Sequence, residues 1–272
     1  MKKLFGILLA LTLVFGMVGG ATAEPIKTGP LTVGLALSDM SAPVFIDARN
    51  LLQSAIDANG DKLIVCDCQA DPGKLVTGIE NFQEAGCDII ILQNFAGEAC
   101  YDVCQKAKDN GAIICSYDYQ MELAQFNTLA DNEALGKVIG ENCGKWIVDN
   151  YGDAAVDVGV CDYPLMDFMV VRADAMVEAL HETAPNANVA IRLQAGFVPE
   201  GVTTGENFLQ AAPNIKAVMG INDGGVLGVC QAYQAAGKSM EKDKIGMFGS
   251  DGSKEAATAI KEQDMFLMTV DL

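Results

Sequence analysis

The chain has 272 residues, half of them hydrophobic, with 36 acidic side chains against 18 basic ones and a formal charge of -18. Such a surface repels nucleic acid and anionic lipid, which need clustered Lys and Arg, so neither is expected as a partner. The charge itself reads as solubility, and the length allows one large domain or two medium ones with real cores.

Residues 1–23 have the parts of a secretory signal. Met1-Lys2-Lys3 is a basic start, Leu4 to Val18 an apolar run, and Ala21-Thr22-Ala23 a small-residue cleavage site. A bilayer span needs roughly 20 apolar residues with anchoring flanks, whereas this run is broken by Gly16 and Gly19-Gly20. Cleavage would leave a mature chain that begins near Glu24. No cysteine lies between Met1 and Glu24, so a lipid anchor is not expected. The mature protein is expected as a soluble monomer in the periplasm or extracytoplasmic space.

From Leu31 onward apolar runs alternate with helix-period segments at about 25 to 30 residues per unit, the pattern of repeated βα crossovers and a parallel sheet. The expected strands in the first half are Leu31 to Leu37, Lys62 to Cys66, Asp88 to Leu92 and Ala112 to Ser116. Those in the second are Asp157 to Cys161, Val189 to Leu193, Ala217 to Ile221 and Lys244 to Phe248. Several are unbroken Val/Ile/Leu stretches, as strands covered on both faces require. Between them the apolar spacing is helical: Val44, Ala48, Leu51, Leu52 and Ala55 form one stripe, and Leu135, Val138, Ile139, Cys143, Trp146 and Ile147 another. Asp71-Pro72 and Asp131 open helices; Gly60, Gly86, Gly111 and Gly237 close them. Trp146, the only tryptophan, sits on its apolar stripe and is expected in the core.

Four units fall before residue 130 and at least four after it. The expected fold is therefore α/β: two doubly wound parallel-sheet lobes, 24–130 and 131–272, joined by a hinge near Leu129 to Asn132. A closed eight-unit barrel has the same repeat and is the structural alternative. Phe266 to Leu272 opens another apolar run with no helix after it, so the natural chain is expected to continue and complete the first lobe.

Nine cysteines in an exported chain would suggest disulfides, but the count is odd and the spacings form no framework. Cys66 and Cys68 alternate on one strand. Cys100 and Cys104 lie one helical turn apart, where Cβ atoms are roughly 5–6 Å apart and a disulfide wants about 3.8 Å. Most are expected as packed thiols. Two cysteine pairs with the single His181 make no zinc constellation, and no metal or cofactor is expected.

In open α/β sheets ligands bind beyond the carboxyl ends of the strands. Residues just past those ends are Ser41 and Phe45 after the first run, Asp118 and Tyr119 after the fourth, Arg172 on the helix after the fifth, Asn222 after the seventh and Asp251 after the eighth. The mixture suits a polyol. Carboxylates accept hydroxyl hydrogens, Arg donates in a fixed fork, Asn does both, and rings offer flat faces to C–H groups. Each residue also has a plainer reading: Asp118, Asp251 and Asn222 as helix caps, Arg172 as a surface pair with Asp174 or Glu178, Phe45 as core.

At these positions the sequence resembles the ribose-binding-protein-like family of periplasmic sugar binders, the type I solute-binding proteins of ABC importers. The resemblance runs from about Leu31 to Leu272. Its markers are Val33-Gly34-Leu35 with Ala42-Pro43-Val44-Phe45, Gly86-Cys87-Asp88-Ile89-Ile90-Ile91, Ser116-Tyr117-Asp118, Asn222-Asp223 leading into Leu227-Gly228, and Gly249-Ser250-Asp251-Gly252. Each alone is weak; together, in this order, they are specific. The resemblance implies two lobes that close on a sugar and then dock on an inner-membrane permease or a chemoreceptor. It also implies that Asp118, Arg172, Asn222 and Asp251 bond ring hydroxyls while Phe45 and Phe197 stack on the ring. Asp118-Tyr119 stands where the family often has Asp-Arg, and Ser41-Ala42 where it has paired Asn, which points away from ribose itself.

Catalysis is not expected. His181 lies mid-helix, far from any strand end, so no nucleophile has a positioned base. Asp118 and Asp251 match a glycosidase pair only in residue type, and Gly224-Gly225 lacks the Lys-Ser/Thr of a phosphate loop. A sensor is the other class: a repressor needs basic DNA-binding helices that this chain lacks, while a receptor ectodomain of the same fold stays open. With Arg49, Arg172 and Arg192 as the only arginines, anionic ligands look under-served. A neutral monosaccharide or polyol is the expected ligand, with nucleosides or furanose signals as alternatives.

Overall fold

The structure, a computed structural model, describes residues 29–41, 43–262 and 265–271. The secretory signal lies outside the described residues. Ten strands build two sheets. The first holds β1 (Thr32–Leu37), β2 (Lys62–Asp67), β3 (Ile89–Leu92), β4 (Ile113–Tyr117) and β5 (Phe126–Thr128), in the order β2-β1-β3-β4-β5. The second holds β6 (Val156–Asp162), β7 (Ala187–Gln194), β8 (Ala217–Gly220), β9 (Gly246–Ser250) and β10 (Phe266–Val270), in the order β10-β9-β8-β6-β7. The two orders trace one path: a starting strand, its neighbour on one side, then three strands stepping outward on the other. Every registered pair is parallel.

Parallel neighbours require crossover connections, and helices supply them except between β4 and β5, which residues 118–125 join without one. In the first lobe these are α1 (Pro43–Asn59), α2 (Pro72–Glu84) and α3 (Tyr101–Asp109); in the second, α4 (Asn132–Tyr151), α5 (Asp167–Thr183), α6 (Val198–Ala211), α7 (Asp223–Ala235), the short α8 (Met240–Asp243) and α9 (Lys254–Lys261). The protein is thus two α/β lobes with open parallel sheets, not one closed barrel. Among the described residues the chain passes between the lobes once, through residues 129–131.

Local signals set the element ends. The Asp71 carboxylate accepts from the N–H groups of Gly73 (2.8 Å) and Lys74 (3.4 Å) at the start of α2, and Asp131 accepts from Ala134 (3.0 Å) at the start of α4. Gly60, Gly86, Gly111 and Gly237 turn the chain with positive φ. The expected strand runs all lie on strands, but β5 has no counterpart in the apolar pattern. It is three exposed residues paired at the sheet edge to Cys115–Tyr117, too short and too polar to show a period. The α1 stripe is corrected as well: Leu51 is 74% exposed and Ala55 is exposed, while Ile56 is buried at 5%. The apolar residues of α1 exceed one stripe, and burial favours the face that carries Ile56.

Helices α4 and α5 cover one face of the second sheet, with Ile139, Cys143 and Ile147 meeting Met176, Leu180 and Val158. Trp146 belongs to this packing, edge-to-face against Phe248 and Tyr151. Glycine brings the two helices together. A Cβ on Gly136 would sit 2.3 Å from the Arg172 carbonyl, and one on Gly140 2.1 Å from that of Met176. That close crossing fixes the backbone position of Arg172. Seven of the nine cysteines are buried, and burial pushes Cys68, Cys104, Cys143 and Cys161 far up from the ordinary thiol range.

Candidate functional site

The carboxyl ends of the strands in both sheets open onto one cleft between the lobes, and the main cavity there is lined from both sides. Phe45 on α1, Tyr117 at the end of β4 and Asp118 come from the first lobe. Arg172 on α5, Phe197, Asn222 and Asp251, each just past a strand of the second sheet, come from the other. Six of the eight residues singled out from the sequence therefore meet in one place.

Arg172 is its centre. The side chain is 1% exposed; its Nε donates to Asn132 Oδ1 (2.9 Å) and its Nη1 to the Ile221 carbonyl (2.7 Å) and Ser250 Oγ (3.1 Å). All three acceptors belong to the second lobe, so the guanidinium is oriented before anything binds. The surface-pair reading fails, because Asp174 bonds Arg192 instead, at 2.6 Å. Burial lowers the affinity of Arg172 for its proton, and Asp251 and Asp118, one from each lobe, oppose that shift.

Neither aspartate is a helix cap. Ser253 caps α9, and no helix follows Asp118 directly. Both adopt the left-handed region, with φ of 58° at Asp118 and 120° at Asp251, a conformation that costs energy outside glycine and clusters at functional sites. Burial raises the Asp118 carboxyl, against Arg172, the Ala130 backbone and the Gln93 side chain, which lower it. Burial, with Asp223 adding to it, pushes Asp251 up to about 8. Asp223 is itself buried and pushed up to about 6, and its Oδ1 has no partner among the described residues.

Asn222 is a cap and a cavity wall at once. Its Oδ1 accepts from the Gly225 N–H (3.0 Å) and its Nδ2 donates to the Gly196 carbonyl (2.7 Å), which leaves one amide hydrogen and one lone pair for other partners. The rings come as two edge-to-face pairs, one per lobe. Phe45 meets Tyr117 at 6.3 Å between centroids, and Phe197 meets Tyr163 at 6.0 Å.

Two singled-out residues lie elsewhere. Ser41 lines an adjoining chamber that shares Gly196, Phe197, Asn222 and Asp251 with the main cavity. Tyr119 lies in a separate recess beside the lobe connection, its ring edge-on to Phe168 of α5 at 6.1 Å. Sequence reasoning passed over Ser38, Gln93, Tyr117 and Tyr163, which line the main cavity, and the thioethers of Met166 and Met169. Ser38 and Gln93 each follow an apolar strand directly, are buried, and meet through a Ser38 N–H bond to Gln93 Oε1 (3.2 Å). A polar residue that ends a buried strand was the available signal; the methionines carry none.

The sequence profile of a family described as "Periplasmic binding protein domain" matches residues 33–271. The chain belongs to that family. It is a family of binding proteins, not of enzymes. Among curated relatives of this binding protein, the ribose import binding protein of Bacillus subtilis is 26% identical over 97% of this chain and 86% of its own length. The ribose import binding protein of Haemophilus influenzae is 27% identical over the same shares. Among solved structures, a galactofuranose binding protein superimposes with a TM-score of 0.78 at 24% identity, covering 89% of this chain and 83% of that one. A myo-inositol binding protein of Caulobacter gives 0.74 at 22% identity, over 88% and 81%. At that identity the likeness is one of fold.

Proposed function

We propose that this binding protein is the extracytoplasmic component of an ABC importer and captures one neutral monosaccharide or polyol by closure of lobes 24–130 and 131–272 about residues 129–131. The observation that carries the reading is Arg172, held by its own lobe and flanked by Asp118 and Asp251 from opposite lobes. One guanidinium set against two acids leaves no surplus positive charge for a phosphate or carboxylate, while carboxylates and a fork of N–H donors together match hydroxyl groups. The ring pairs of Phe45 with Tyr117 and Phe197 with Tyr163 offer apolar faces to the C–H sides of a sugar ring. Relatives named for ribose and D-xylose, and neighbours named for galactofuranose and myo-inositol, support a polyhydroxylated ligand. The cargo would pass to a permease in the inner membrane.

A thermal-shift screen tests this. Free pentoses, hexoses and polyols are compared with nucleosides and amino acids, since a ligand that binds only the folded state adds about 2.7 kcal/mol at a hundredfold excess over Kd. A rise in Tm with a neutral sugar or polyol is expected. No shift with any of them, and a clear one with nucleosides or amino acids, overturns the reading.

A further inference from the structure

The geometry points to a ligand larger than a free monosaccharide: a sugar ring in the main cavity that carries a compact, largely apolar substituent in the adjoining chamber. The inference rests on the sugar-binding reading and refines its substrate class. The main cavity measures about 60 Å³. With a cavity needing about 10–15 Å³ per water, that is the space of on the order of five waters, room for no more than one sugar ring. The adjoining chamber measures about 120 Å³, twice the main cavity, and reaches solvent past Ser41 and Pro199, which are exposed. The two volumes are neighbours, since Gly196, Phe197, Asn222 and Asp251 wall both.

The walls of the chamber set the chemistry of its occupant. Beyond the shared residues they are Ser41, Val198, Pro199 and Gly224. Beyond its bonds to Gly196 and Gly225 the Asn222 amide keeps one hydrogen and one lone pair, and with the Ser41 hydroxyl and the Asp251 carboxyl it makes up the few side-chain polar groups of the chamber. A second, fully hydroxylated ring would bury several hydroxyls without partners, each such orphan weakening binding by roughly 5- to 150-fold. An alkyl or aryl aglycone meets the carbon of Phe197, Val198 and Pro199 instead, and each buried methylene raises affinity about fourfold. The substrate class is therefore a simple glycoside, not a disaccharide.

Isothermal titration of the intact protein with D-ribose, D-xylose, L-arabinose and D-galactose, and with the methyl and phenyl glycosides of each, tests this. For the sugar that binds, a phenyl glycoside that binds at least as tightly as the free sugar is expected. Val198→Phe fills the chamber from a residue outside the main cavity. It is expected to weaken the glycoside by about tenfold or more while the free sugar stays within about twofold. Methyl and phenyl glycosides that all bind more weakly than the free sugar would overturn the inference and leave the monosaccharide reading standing. Glycoside affinity untouched by a folded Val198→Phe variant would overturn it too. Binding of neither free sugars nor glycosides would defeat the sugar reading itself. Should Val198→Phe not fold, the comparison of free sugar and glycoside on the natural sequence still decides.

Discussion

Replacing Arg172 by Met keeps most of the buried volume and removes the charge. The guanidinium makes three hydrogen bonds, and a bond to a charged donor is worth about 1.5–3 kcal/mol, yet the loss is not their sum. Ser250 Oγ and the Ile221 carbonyl stay bonded to each other at 2.9 Å, so Asn132 Oδ1 alone loses its partner, and at a half-buried position. The larger effect falls on Asp118 and Asp251, whose carboxyls burial already raises and Arg172 lowers. Without Arg172 both rise further. A carboxyl raised in the folded state holds a proton that the unfolded chain has released, so its contribution is fully present below the unfolded value, about 3.9, and fades as pH climbs through the folded one. The variant is therefore expected to lose about 1–2 kcal/mol near pH 5, the ordinary size of a single-site change. Near pH 8 the loss should reach about 3–5 kcal/mol, the size of a broken buried pair. Urea unfolding at the two pH values, with far-UV dichroism as readout, measures it. An equal loss at both, or under about 1 kcal/mol at pH 8, would refute the electrostatic account of the site.

Asp251→Asn removes the group pushed up to about 8, so the variant should gain about 1–2 kcal/mol over the natural protein at pH 8 and show a flatter decline in Tm between pH 5 and 8; an unchanged pH profile counts against a buried acid there. Phe45→Ala and Phe197→Ala should each weaken sugar binding by at least about 0.5–1.5 kcal/mol, read by titration calorimetry, and unchanged affinity in both would make the rings core packing alone. Gly136→Ala places a methyl 2.3 Å from the Arg172 carbonyl and should cost about 1–3 kcal/mol in urea unfolding, with weaker ligand binding as α5 moves; a neutral result would mean the close helix crossing does not set Arg172. Lys254→Ala cuts a bridge to Asp47 across the lobes at 3.2 Å, but with Lys254 81% exposed its effect on stability should stay under about 1 kcal/mol, and a larger loss in urea unfolding would mean the bridge does more than an exposed pair can.

The fold was legible because buried parallel strands are continuous apolar runs and their spacing counts crossovers. What stayed hidden was decided by packing. Leu51 and Ile56 are equally apolar as letters, and the burial of α1 alone separates them. β5 pairs through backbone groups at an exposed edge, which leaves no mark on its side chains. At the site, strand-end position brought out Asp118, Asn222 and Asp251, which the chain places by local geometry. It could not tell Ser41 and Tyr119 from true neighbours of Arg172, because loops of a few residues after a strand can lead into the cavity or past it. Tyr117 was missed for the converse reason: it is the last residue of its strand, where the alternation that buries Ser116 turns its own side chain into the cleft.

The charge arrangement also says why closure should wait for ligand. Arg172, Asn132, Ser250 and Asp251 travel together in one lobe, whereas Asp118 belongs to the other. Bringing the lobes together empty takes the Asp118 carboxylate from water to a guanidinium already engaged by Ser250 and Ile221, an uneven exchange in a medium of low dielectric. On the proposed reading, sugar hydroxyls would change the balance by bonding Asp118 and Asp251 at once while the aromatic rings cover the sugar carbons. The contacts of Asp251, Asn222 and Phe197 lie in one lobe and those of Phe45 and Asp118 in the other, so only the second set made would favour closure. A cleft built on a complete, neutral set of hydrogen bonds would close as readily without ligand.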